Sequence, residues 1–329
     1  MEFCSKSTHP ASPSEALNAS DAFPGASVYS HCTLCPRNCG ADRSSGKTGV
    51  CGMTSELHIA RVGLHMWEEP CLSGTADPSV PDSTPSGSGT IFFTGCSLGC
   101  IFCQNHEIST RDHLPGRVYS IEELADAMLD LQSQGANNIN FVTGTHFVPH
   151  IVEGVRIARS RGLSIPTVFN CGGYESVDTI RMLDGTIDIY LPDMKFFSSS
   201  ISMKYAHVSD YFDRAKEAIA EMVRQCPKQV FDERGLMKKG VIVRHLMLPG
   251  LLFDSKHIMD YLCETYGNSI TISLMNQYTP MPGVPAELQK PLSPEHYRAM
   301  VDHLTLLSQE NAFIQEGGTV SESFIPDFE

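Results

Sequence analysis

The sequence predicts an α/β protein built as a partial (β/α)6 TIM-like barrel, with a small Cys-rich module in front of it. Two observations predict the barrel. Six apolar, strand-like runs alternate with helical patterns from Gly89 onward. Several of these runs are rich in Val, Ile and Phe and apolar on both faces, as buried parallel strands are. A third observation sets the module apart: residues 31–60 combine four cysteines with turn-forming pairs and few core residues.

The strand-like runs are Thr90–Thr94, Ile139–Thr143, Thr167–Asn170, Ile187–Leu191, Val241–Leu246 and Ile270–Met275. Between the first two, Ser120 and Glu123 form a capping box, Leu124, Met128 and Leu131 make one apolar stripe, and Gly135 stops the helix. A second helix is expected over residues 209–225, with Phe212, Ala215, Ile219 and Met222 on one face. Ser293 and Pro294 start a third, carrying Met300, Leu304 and Leu307. Right-handed βαβ units of this kind place their chemistry at the C-terminal ends of the strands.

The domain plan follows. Residues 1–30 are rich in Ser, Ala and Pro and read as a disordered tail. Residues 31–60 are the Cys4 module, and residues 61–88 a linker whose stretch 74–88 is a flexible Pro/Ser/Gly-rich insertion. Residues 89–280 form the core, and residues 281–329 a C-terminal helix and strand extension.

Composition excludes some partners. The net charge of −14 argues against nucleic acid, which needs clustered Lys and Arg. No run approaches the roughly 20 apolar residues of a membrane-spanning helix. The N-terminus carries no basic segment followed by an apolar run, so a cytoplasmic protein is expected. Seven of the twelve cysteines fall in two tight groups, which favours metal over a disulfide framework.

The central group is Cys96-Ser-Leu-Gly-Cys100-Ile-Phe-Cys103, just after the first strand. Three thiolates on one loop can each bind one iron of a [4Fe–4S] cluster, leaving the fourth iron open to a small chelating molecule. A zinc site is the competing reading, with His106 as fourth ligand. The N-terminal group is Cys32, Cys35, Cys39 and Cys51. It offers complete Cys4 ligation, for zinc or for an auxiliary cluster, and metal would supply the stability that so small a module lacks.

Strand ends supply further candidates: Thr143, Thr145 and His146; Asn170; Asp193 and Lys195; Arg244; and Gln277 with Tyr278. Arg244 suits a bidentate grip on a carboxylate, or a structural salt bridge. Glu68 and Glu69 either cap a helix or line the site. Cys171 stands at a strand end, whereas Cys226 and Cys263 read as core thiols.

C-x3-C-x-(aromatic)-C, with Phe102 at the aromatic position, resembles the signature of the radical S-adenosylmethionine (SAM) superfamily. His65-Met-Trp-Glu-Glu-Pro-Cys-Leu-Ser-Gly74, Ile91-Phe-Phe-Thr-Gly-Cys96, Asn138-Ile-Asn-Phe-Val-Thr143, Ile189-Tyr-Leu-Pro-Asp-Met-Lys195 and Arg244-His-Leu-Met-Leu-Pro-Gly250 look like its pyruvate formate-lyase activating enzyme-like members.

The resemblance implies a radical SAM barrel, a [4Fe–4S] cluster on Cys96, Cys100 and Cys103, and SAM chelated to the open iron. It implies reductive cleavage of SAM and hydrogen abstraction, with a glycine of a partner glycyl radical enzyme as the leading substrate. Thr143, Thr145 and His146 occupy the place of the family's Gly-Gly-Glu segment, so hydroxyls and carbonyls would hold the SAM amino group without a carboxylate. Asn170 and the Asp193-x-Lys195 pair match family positions, and Arg244 is placed to meet the SAM carboxylate. An electron donor such as flavodoxin or ferredoxin is also implied, with Arg37, Arg43 and Lys47 as its docking patch. The competing functions are an iron–sulfur electron carrier and a zinc-stapled binding protein, both without SAM chemistry.

Overall fold

The computed structural model describes residues 23–75, 86–109 and 115–315. Most of the expected tail and the middle of the expected insertion therefore lie outside the described residues. The strands are β1 (Leu57–His65), β2 (Ser88–Phe93), β3 (Arg117–Tyr119), β4 (Ile139–Val142), β5 (Thr167–Cys171), β6 (Ile189–Pro192), β7 (Val230–Phe231), β8 (Met237–Leu246), β9 (Thr271–Met275) and β10 (Ala312–Ile314). The helices are α1 (Pro70–Ser73), α2 (His106–Ser109), α3 (Ile121–Ser133), α4 (Val148–Ser160), α5 (Val177–Met182), α6 (Ser199–Ala206), α7 (Tyr211–Gln225), α8 (Leu252–Tyr266) and α9 (Pro294–Leu306).

The sheet runs β10-β9-β8-β6-β5-β4-β2-β1-β3, with β7 paired to β8. The stretch from β2 to β10 is parallel throughout. β1 is antiparallel to both β2 and β3. The six expected strands are thus β2, β4, β5, β6, β8 and β9, in that spatial order. The sheet is not closed: β3 and β10 are its edges. Parallel strands read as continuous apolar runs because both faces are covered, and every residue of β2, β4, β5 and β6 is buried.

Helices pack where their apolar stripes point. On α3, Ser120 accepts from the Glu123 amide and Glu123 reaches back to the Ser120 amide, the expected capping box. Its buried face is Leu124, Ala125, Met128 and Leu131. The Phe93 ring stands 6.3 Å from Phe141 and 5.9 Å from Phe147, at tilts aromatic pairs favour.

Three expectations of domain layout change. Residues 23–30 are packed: Ala26–His31 is a 3-10 turn, and Tyr29 is buried with its hydroxyl 2.7 Å from His150 Nδ1. β1 runs across the expected module boundary at residue 60, because its alternating apolar residues find a partner edge on β2. Ser88, placed at the end of the insertion, already lies in β2. The C-terminal extension is α9 followed by β10, which adds a parallel strand to β9. Among the described residues no helix is long and apolar enough to cross a membrane.

Candidate active site

A cavity of about 450 Å³ opens at the C-terminal ends of the parallel strands. A second hollow of about 560 Å³ lies outside the barrel among Phe197, Phe212, Phe253 and His257 and touches none of the candidate residues. The strand-end cavity is lined by Cys96, Cys100 and Cys103 together with Phe102, Thr143, Asn170, Asp193, Lys195 and Arg244. Sequence positions spread over 149 residues, from 96 to 244, thus converge on one space.

The thiol loop leaves β2 at Phe93 and is held from several sides. The Ile101 amide donates to the Tyr205 carbonyl at 3.0 Å, and the Leu98 amide points at Cys96 Sγ at 3.4 Å. Phe102 meets Phe196 and Tyr205 edge-on. Gly95 has φ 86°, and a Cβ there would stand 2.7 Å from the Cys51 carbonyl oxygen. Only glycine allows that approach. Burial pushes the Cys96 thiol up to about 11 and raises Cys100 as well. Half-buried thiols that resist ionisation alone become thiolates when they gain iron, so the donor chemistry fits a cluster. Among the described residues, no three His, Cys, Asp or Glu side chains stand close enough to hold a single metal ion. The three-thiol set fits a cubane with one iron left without a protein ligand.

Strain gathers at the cavity. Thr143 follows β4 with φ 61°, a left-handed conformation that a β-branched residue rarely adopts. Its amide donates to the Asn170 carbonyl at 2.9 Å. Asp193 and Lys195 form a close ion pair, each side chain about one-fifth exposed (21% and 20%). Burial opposes the Lys195 charge, but Asp193 and the neighbouring Cys100 more than offset it and raise the ammonium.

Arg244 makes the salt bridge that is one of its two expected roles. Its Nε and Nη2 donate to Glu69 at 2.8 and 2.7 Å, and Nη2 also pairs closely with Glu68. The guanidinium is therefore engaged by protein carboxylates, not aimed at a free one. Burial disfavours the Glu69 charge, yet Arg244 outweighs it and lowers the carboxyl. Glu68 also accepts from Asn140 Nδ2 at 2.9 Å, beside β4. Both glutamates line the cavity, the reading that sequence left open.

Thr145 and His146 do not reach the cavity. Both are buried behind it: Thr145 bonds the Glu175 carboxylate, and His146 Nε2 lies 2.8 Å from the Thr94 carbonyl. Burial, then the Arg43 charge, lower the His146 imidazole to about 3. Their side chains turn inward because a 3-10 turn at Thr145–Phe147 follows the strand directly. Tyr278 is likewise turned away, with its hydroxyl on the Leu288 carbonyl at 2.6 Å, while Gln277 lines the cavity.

The expected docking patch is not a surface patch. Arg43 is fully buried, and Arg37 spends its fork on the carbonyls of Ser97, Leu98, Ala206 and His207; only Lys47 is exposed. Sequence reasoning missed Trp67 at the cavity wall, which Phe313, Ile314 and Gln315 of the C-terminal extension also line. The chain's only Trp, 57% exposed beside twin glutamates, was the available signal.

A relative of Methanocaldococcus jannaschii, an uncharacterized protein, is 28% identical over 259 residues, covering 77% of this chain and 67% of the relative. Among solved structures, methylornithine synthase (PylB) gives a TM-score of 0.46 at 15% identity, over 64% of this chain and 59% of that one. HydG, a maturase of the [FeFe]-hydrogenase, gives 0.45 at 14%, over 64% and 47%. Streptococcus suis SuiB bound to S-adenosylmethionine gives 0.45 at 13%, over 68% and 49%. The chain thus spans between 47% and 59% of the length of these three solved chains. The radical SAM superfamily model matches residues 90–273, more than half of the sequence and running from within β2 to within β9, so the chain belongs to the radical SAM superfamily.

Proposed function

We propose that this chain reductively cleaves SAM and uses the product radical to abstract hydrogen from a substrate. The observation that carries this reading is the position of Cys96, Cys100 and Cys103 on the wall of a 450 Å³ cavity ringed by polar strand ends. Cys96, Cys100 and Cys103 would hold a [4Fe–4S] cluster there, which would supply the single electron needed to cleave SAM to methionine and a 5′-deoxyadenosyl radical.

The chain's own residues bind and orient. Glu68, Glu69 and Arg244 together carry one negative charge more than positive, and Glu68 stands next to β4 through Asn140. This excess carboxylate charge suits the ammonium of SAM and replaces the glutamate that the strand-end segment Thr143 to His146 lacks. The Asp193–Lys195 pair keeps a fixed dipole beside Arg244, to which Asp193 is bridged across the neighbouring strands. Phe102, Phe92 and Leu98 supply apolar walls that exclude water.

The test is 5′-deoxyadenosine formation by anaerobically reconstituted protein with dithionite, beside a Cys96→Ala variant. Product from the first and none from the second supports the reading. No product from protein with full iron and sulfide would overturn it.

The finer reading, a glycine of a partner glycyl radical enzyme as hydrogen donor, is supported by the sequence resemblance. Its test is a glycyl radical signal by electron paramagnetic resonance (EPR) when such an enzyme is added. Flavodoxin or ferredoxin is the proposed donor, checked by replacing dithionite with either protein.

A further inference from the structure

Arg43 is 0% exposed, and among the described residues no carboxylate pairs with it. Its donors go to neutral carbonyls: Nε to Met53 and Thr54, Nη1 to His146 at 2.7 Å, Nη2 to Thr54 at 2.7 Å. Its guanidinium carbon lies 4.7 Å from the Tyr29 ring centre and 5.4 Å from that of Phe147. A buried guanidinium without an anion is costly, so a negative partner is expected beside it. The group that is there is a thiol: Arg43 Nη1 points at Cys32 Sγ at 3.6 Å.

Cys32 does not stand alone. The Gly40 amide donates to the Cys32 carbonyl at 3.1 Å and the Asn38 amide to the Cys35 carbonyl at 3.0 Å, so Cys32, Cys35 and Cys39 share one tight turn. A Cβ on Gly49 would lie 3.4 Å from Cys51 Sγ and 3.5 Å from Cys39 Sγ, so both sulfurs face one point of backbone. Yet no three of these thiols are close enough to share one ion. Around a single zinc, with Zn–S about 2.3 Å, thiolates stand within about 4 Å of one another. A cubane needs them farther apart, each on its own iron.

We propose that Cys32, Cys35, Cys39 and Cys51 hold a second [4Fe–4S] cluster, with Arg43 as its buried counter-charge. This site is assigned independently of SAM cleavage. Its place suggests its use. Arg37, between Cys35 and Cys39, clamps the Ser97 and Leu98 carbonyls of the central thiol loop at 3.0 and 2.9 Å. The Cys51 carbonyl sits against Gly95, next to Cys96. Cys39 is exposed while Cys32 and Cys51 are buried. One electron taken at Cys39 from a low-potential one-electron donor would pass inward to the central cluster, oxidising the second cluster as the first is reduced.

The experiment reconstitutes the full chain anaerobically with ferrous iron and sulfide, in competition with zinc, as wild type and as a Cys96/Cys100/Cys103→Ala variant. About eight irons per chain are expected in the wild type and about four, with matching sulfide and a [4Fe–4S] EPR signal on reduction, in the variant. That variant leaves the module untouched, and circular dichroism checks that its barrel is folded. Stoichiometric zinc without sulfide, or no metal in the folded variant, would overturn the cluster. In the same background, Arg43→Met is expected to shift the remaining cluster to a more negative potential, with Arg43→Lys restoring part of the shift. An unchanged potential in Arg43→Met would overturn the counter-charge.

Discussion

The barrel and the N-terminal module hold themselves together by opposite means. The barrel buries rings and branched chains: Phe141, Phe169 and Tyr190 are each 0% exposed, and its polar strand ends meet water only in the cavity. The module buries a cation. Arg43, not an apolar side chain, is its largest fully buried residue, surrounded by carbonyls, two rings and thiols. Apolar burial is indifferent to iron and to pH, whereas a buried charge depends on the ionisation of its neighbours. The two regions should therefore respond to different perturbations.

The largest effect is catalytic. Cys100→Ala is expected to abolish 5′-deoxyadenosine formation while leaving the unfolding midpoint of metal-free protein nearly unchanged, as a product assay and a denaturant titration together would show. Next come the two cores. Phe141→Ala should cost about 3–5 kcal/mol in denaturant unfolding, equally with and without iron, because it removes packing alone. Arg43→Met should cost about 3 kcal/mol or more in iron-loaded protein and clearly less in iron-free protein, because only thiolates make the buried charge worth keeping. Equal losses in both states would break the contrast drawn here.

Glu175 sharpens it through pH. The carboxyl is fully buried, bonded to Thr145 and Cys171, and burial pushes it up to about 7. A carboxyl raised in the folded state binds its proton more tightly there than in the unfolded chain. Its contribution is complete below the unfolded value near 4.5 and is lost as pH rises through about 7. Glu175→Gln should therefore gain stability relative to wild type between these values, read from denaturation midpoints at pH 4.5 and 8. The smallest effect belongs to the barrel surface: Ser120→Ala should cost about 1 kcal/mol by removing the α3 capping box.

Local chemistry made much of this legible. Continuous apolar runs marked β4, β5 and β6 within a residue or two, since strands covered on both faces cannot alternate. Ser120 and Glu123 announced α3 because a capping box involves only three consecutive peptide units. The partners of Arg244 were not legible. Glu69 is 175 positions away along the chain, and no spacing rule links a linker glutamate to a late strand end. His146 looked like a site residue by position, but the direction of its ring is set by the Thr94 carbonyl across the sheet.

By itself the sequence determined the α/β class, the order of the six parallel strands and the place of the three-cysteine loop after the first of them. These depend on side-chain periodicity and on contiguous residues. Tertiary structure alone decided that Arg43 is buried beside Cys32, that Glu68 and Glu69 occupy Arg244, and that Trp67 walls the cavity. Each of those is a meeting of distant segments, and where a charge finds its partner is fixed only when the chain has closed around it.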